Sequence, residues 1–178
     1  METSAPKYSI VIPVPKSATD QQMARYSDYR AFDKIDREKA SVELLSFDIG
    51  SDLSDISKQF KSVKFKPFDL AVYGAESTWS HDAWRKDNPI DIYFHVADSK
   101  GLKSFRDYLA KHFSEQNRKV NRTPFVMLLR HLSSKFDEFA EAVTTFERDP
   151  VSFSADLIEL RMYETLDNYE VIASVKLK

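Results

Sequence analysis

The sequence predicts an α+β fold of one domain, 1–178, with two lobes in which small antiparallel sheets are flanked by outer helices. Two observations predict it. Strand-like and helix-like segments follow the order strand, helix, strand, helix, strand, then strand, helix, strand, helix, strand, strand, a rough duplication without strong internal repetition. At 178 residues the chain can bury one sizeable core, and no low-complexity linker divides its halves.

Residues 8–14, YSIVIPV, form a strand that Pro13 ends early or confines to an edge, because proline cannot donate to a ladder. Thr19 or Asp20 caps a helix over 20–32, where Met23, Tyr26 and Tyr29 or Arg30 recur at helical spacing. Residues 41–47, SVELLSF, are the next strand, closed by Gly50 before a helical turn around Leu53, Ile56 and Phe60. Residues 61–74 are a strand region with a break at Pro67 and an end at Gly74. Turn formers and charges make 75–89 an irregular excursion, and Tyr73, Trp79 and Trp84, which flank a loop there, either grip a base or peptide or anchor it.

The strand IDIYFHV leads through Asp98 and Ser99 into a helix over 101–116 with Leu102, Phe105, Tyr108 or Leu109 and Phe113 on one face. An extended stretch, VNRTPFVMLLR, precedes a second helix marked by Leu132, Phe136, Phe139, Ala140 and Val143. VSFSADLIELRMYE and YEVIASVKL, parted by Leu166, Asp167 and Asn168, close the chain as an antiparallel pair.

With no cysteine, disulfides and thiolate-bound metals are excluded, and three glycines leave no phosphate-binding glycine loop. Four histidines give little material for a metal site, so neither a metal nor a cofactor is expected. Lys and Arg (26) nearly balance Asp and Glu (28), unlike a dedicated duplex-DNA binder. The N-terminal segment METSAPKYSIVIPVP lacks a secretory pattern and no window reaches the length of a membrane span, so a cytoplasmic or nuclear protein without a membrane partner is expected.

The order and spacing of YSIVIPVP, SVELLSFDIG, TPFVMLLR and the closing pair VSFSADLIELRMYE and YEVIASVKL resemble the 2H phosphoesterase superfamily, which includes the LigT-like RNA 2′,3′-cyclic phosphodiesterases. The resemblance covers nearly the whole chain. It implies two strands that each carry His-x-Thr or His-x-Ser, with both side chains of a motif on one strand face. In such a site one imidazole takes a proton from the attacking water or hydroxyl, the other protonates the leaving oxygen, and the hydroxyls hold the phosphate.

Matched to those motifs, this chain carries Ser41 and Glu43 in the first and Phe125 and Met127 in the second. A phenyl ring transfers no proton and a thioether is a poor substitute for a phosphate-binding hydroxyl. Both motifs are degenerate, so no catalytic residue is assigned and a pseudoenzyme is expected. Glu43 is either a replacement acid or a carboxylate paired with a base, and Phe125 and Met127 either fill the cleft or line an apolar pocket.

His95 enters the cleft only if its strand phase permits, and His131 forms a superficial His-x-Ser with Ser133 near a helix cap. Arg118, Lys119, Arg122, Arg130 and Lys135 lie in a stretch without acids, and Lys58, Lys61, Lys64 and Lys66 in another, where Phe65 or Phe68 could stack on a base. Either run is a ligand surface or an ordinary solvated face. The leading expectation is a binding or scaffold protein for single-stranded RNA or a nucleotide. The alternatives are a divergent phosphodiesterase using His95, His131 or Glu43, and a protein-interaction module with a filled cleft that binds a protein partner.

Overall fold

The computed structural model describes residues 7–24, 40–48, 50–78, 91–122, 125–129, 150–165 and 168–178, with positions 75–78, 91–93, 125, 127–129 and 165 described by their backbone alone. The elements are β1 (Lys7–Pro13), α1 (Lys16–Ala24), β2 (Ser41–Phe47), α2 (Leu53–Lys61), β3 (Phe68–Thr78), β4 (Asp91–Val96), α3 (Lys100–His112), β5 (Arg118–Val120), β6 (Phe125–Leu129), β7 (Val151–Ala155), β8 (Leu157–Thr165) and β9 (Asn168–Lys176).

All the strand pairings are antiparallel, in the order β7-β3-β4-β6-β2-β1-β8-β9, with β5 alongside β2. The nine described strands form one hydrogen-bonded sheet made of two small lobe sheets, β7-β3-β4-β6 and β5-β2-β1-β8-β9, joined where β6 pairs with β2 through the single register pair Val42 and Val126. This is the predicted α+β architecture.

Strand alternation sorts the side chains into two layers. Ile10, Ile12, Val42, Leu44, Leu70, Val72, Phe94, Val126, Ile158 and Leu160 face one core together with Ile56 and Phe60 of α2 and Leu102, Phe105 and Leu109 of α3. The helices start where their caps dictate: Asp52 accepts from the backbone N–H groups of Ser54 and Asp55, and Ser99 from that of Leu102. Gly101 allows α3 to approach β3 closely, since a Cβ there would lie 2.7 Å from the Cβ of Phe68.

The helix expected from Thr19 or Asp20 begins earlier, at Lys16. The Pro15 carbonyl accepts from the N–H of Ala18 and the hydroxyl of Thr19, so Thr19 lies inside the first turn instead of before it. The expected extent beyond Ala24 and the helix over 132–143 lie outside the described residues.

The strand expected to end at Gly74 continues to Thr78. Gly74, with φ of 49°, is the extra residue in a bulge between the pairs Tyr73–His95 and Ala75–Phe94, a backbone conformation that glycine adopts without a Cβ penalty. The stretch 151–164 divides at Asp156. Its first part pairs with β3 in one sheet, and its second pairs with β1 and β9 in the other. Phe65 and Phe68 are partly buried against the core, their rings packing on Phe105 at 4.8 and 5.3 Å and that of Phe65 also on Tyr108 at 5.3 Å.

Candidate functional site

The Val42–Val126 pair fixes where the two candidate motif strands stand, Ser41 and Glu43 on β2 and Phe125 and Met127 on β6. Both valines are buried in the core, so by alternation positions 41, 43, 125 and 127 all belong to the other sheet face. The antiparallel register carries 41 alongside 127 and 43 alongside 125. The two motif strands are therefore neighbours.

Glu43 is held by the strand next to it. Lys7 Nζ donates to its Oε1 at 2.9 Å and its Oε2 at 2.8 Å, and the hydroxyl of the fully buried Ser9 donates to Oε2 at 2.9 Å. The Glu43 carbonyl accepts from Asn121 Nδ2 at 3.1 Å, tying β2 to the end of β5. A bulge between Ile10 and Val11 turns both Leu44 and Leu45 into the core. Glu43 and Ser46 consequently share the face opposite the core.

A polar row crosses this face in register: Lys119 of β5 opposite Ser46, Ser46 opposite Ser9, and Ser9 opposite Arg161 of β8. Lys119 is exposed, whereas Arg161 is 2% exposed. Arg161 Nε donates to Glu159 Oε2 at 2.7 Å, Nη2 lies 2.7 Å from the same oxygen, and the Tyr169 ring covers the guanidinium carbon at 4.1 Å. Nη1 is buried without a hydrogen-bond partner among the described residues. Burial opposes the charge, but Tyr163 and Glu159 outweigh it and hold the guanidinium above its ordinary value, so Arg161 stays cationic.

The strand phase of β4 admits His95 to the same face. Its neighbours Phe94 and Val96 are core residues, and His95 pairs with Tyr73 on one side and Phe125 on the other. The His95 and Tyr73 rings stack with centroids 5.5 Å apart. Position 125 pairs with His95 of β4 and adjoins Val126, the partner of Val42, so β6 stands between the strands that carry Glu43 and His95.

The basic residues divide. Arg118 directs its guanidinium to the end of α3, with Nε and Nη2 donating to the Ala110 carbonyl at 3.0 and 2.6 Å and Nη1 donating to Ser114 at 3.3 Å. Arg122 is exposed, and its carbonyl accepts from Arg106 at 2.7 Å. Arg130, His131 and Lys135 lie outside the described residues, as do Trp79 and Trp84, and nothing is described of the Phe125 and Met127 side chains. Among the described residues, no three His, Asp or Glu side chains gather as a metal ion would require. No helix among them is long and apolar enough to cross a membrane.

Sequence reasoning missed Lys7, Ser9 and Arg161. Lys7 and Ser9 flank Tyr8 at a strand start, and period-two alternation alone could have placed them on one face. Arg161 stands where IELRMY alternates apolar and polar positions, a pattern equally expected of a solvated strand face.

Chemically, the face offers cations and hydroxyls on β1, β2, β5 and β8, and an imidazole two strands from a carboxylate. No family model matches the sequence, and no curated protein matches it. Solved structures do match. A phosphoesterase crystal structure aligns over 98% of this chain and 99% of its own, with a TM-score of 0.64 and 12% identity. E. coli LigT complexed with 3′-AMP aligns over 98% and 99%, with a TM-score of 0.63 and 11% identity. E. coli LigT complexed with NADP+ aligns over the same shares, with a TM-score of 0.62 and 14% identity. The chain has the fold of the LigT-like 2H phosphoesterases.

Proposed function

We propose that this protein is a catalytically degenerate 2H phosphoesterase-like binding protein whose cleft face takes the phosphate groups of single-stranded RNA or of a nucleotide. The observation that carries the reading is the state of Glu43. At a motif position where the family resemblance implies a hydroxyl, this chain has a carboxylate engaged by Lys7 and Ser9. A carboxylate there donates no hydrogen bond to a phosphate at the former reaction centre, and neither motif supplies an imidazole.

Binding is supported by the cations near that centre. Lys119 shares its face and Arg122 follows two residues beyond β5, both exposed. The fold neighbours crystallised with 3′-AMP, ATP and NADP+ make nucleotides the first ligands to test. Cytoplasmic or nuclear residence agrees with such ligands.

Titration of single-stranded RNA at two salt concentrations tests the reading. Phosphate contacts make affinity fall as salt rises, and absence of binding at low salt rejects it. A divergent phosphodiesterase is the second reading, favoured by the register that puts His95 and Glu43 on one face. It requires turnover that His95→Ala abolishes.

A further inference from the structure

Glu43 occupies a cation and a hydroxyl as an incoming oxyanion would. Lys7 Nζ reaches both of its oxygens, and the buried Ser9 hydroxyl is aimed at one of them from the neighbouring strand. The arrangement opens to solvent, with the Lys7 side chain 49% and the Glu43 side chain 33% exposed. Lys119, one row away opposite Ser46, adds an exposed cation on the same face.

We propose that Lys7 and Ser9 form a phosphate seat that the Glu43 carboxylate fills in the free protein, so that a phosphorylated ligand enters by displacing the chain's own anion. The inference rests on the phosphate-binding reading above and adds its regulation at that site. A phosphate presents oxygens to a lysine and a hydroxyl much as a carboxylate does, and carries more charge to attract Lys119. Glu43 thereby sets a threshold: it lowers affinity for weakly charged ligands and yields to those that also engage Lys119. Ser9 is fixed by burial, so the seat is already shaped when the carboxylate leaves.

The test titrates inorganic phosphate and, separately, 3′-AMP into the wild type, Glu43→Gln and the double variant Lys7→Gln/Glu43→Gln at low salt, by calorimetry, with thermal melts to confirm folding. Glu43→Gln should tighten both probes by about tenfold, the effect of removing one adjacent like charge, and the double variant should lose the gain. Phosphate affinity unchanged or weakened in a folded Glu43→Gln, or a gain that survives loss of Lys7, overturns the seat. If Glu43→Gln gains for phosphate while 3′-AMP binds neither protein, the seat stands and the nucleotide reading falls. If 3′-AMP binds the wild type and Glu43→Gln equally, the nucleotide reading stands and the seat falls. Should Glu43→Gln fail to fold, Lys7→Gln alone decides: weaker phosphate binding supports the seat, and unchanged binding overturns it.

Discussion

The Ser9 hydroxyl and the Lys7 ammonium converge on the same Glu43 oxygen, at 2.9 and 2.8 Å. Ser9 is fully buried and Lys7 is half exposed, so the two contacts differ in weight. Ser9→Ala should lower stability by about 1.5 kcal/mol, the worth of a hydrogen bond to a charged group. Lys7→Met should change it by less than about 1 kcal/mol, as for exposed ion pairs. Urea denaturation of the two variants checks the order, and a larger loss from Lys7→Met contradicts it.

Arg161 makes a buried pair with Glu159 under the Tyr169 ring. Glu159→Ala should destabilise by about 3 kcal/mol, because it removes the carboxylate partner of a buried guanidinium and leaves only Tyr163 and the Tyr169 ring against its burial, while Glu159→Leu with Arg161→Met should recover much of that loss. Since the folded-state value of Arg161 is raised, its contribution is fully present below the ordinary guanidinium range and is lost only as pH rises through the folded value. Denaturation midpoints of the variants should therefore keep their order across neutral and mildly alkaline pH.

Gly74→Ala should cost about 1 kcal/mol or more, from the left-handed backbone of the bulge. It should also disturb the Tyr73–His95 stack that follows from the bulge register. Denaturation measures the first effect, and the His95 ring resonances in NMR spectra report the second. An unshifted His95 signal would show that the stack does not depend on Gly74.

These features differ in how legible they were. The strand 41–47 and the helix starting behind Ser99 could be read because alternation and capping are local properties of a few residues. The division at Asp156 could not, since both halves alternate in the same period and only the choice of partner strand separates them. At the candidate site, Ser41 and Glu43 are singled out by matching motifs. Their environment is not, because Lys7 and Ser9 lie 36 and 34 residues from Glu43 and meet it only through the β1–β2 pairing. Arg118 was a plausible ligand cation by charge alone, and its binding to the end of α3 depends on a turn that a charge count does not register.

Lys119→Gln with Arg122→Gln should weaken several single-stranded RNA sequences by similar factors and reduce the salt slope, since phosphate contacts carry no sequence information. Arg118→Gln should act on stability instead, through lost capping of α3. Filter binding at two salt concentrations beside thermal melts separates the two effects. A drop in RNA affinity confined to one sequence contradicts a phosphate surface.

Binding without hydrolysis is tested in both parts by ³¹P NMR of a 2′,3′-cyclic nucleotide mixed with the intact protein. The expected result is a shifted or broadened phosphorus signal with no growth of a 2′- or 3′-monophosphate signal. A product signal that grows without added metal and disappears with His95→Ala would contradict it.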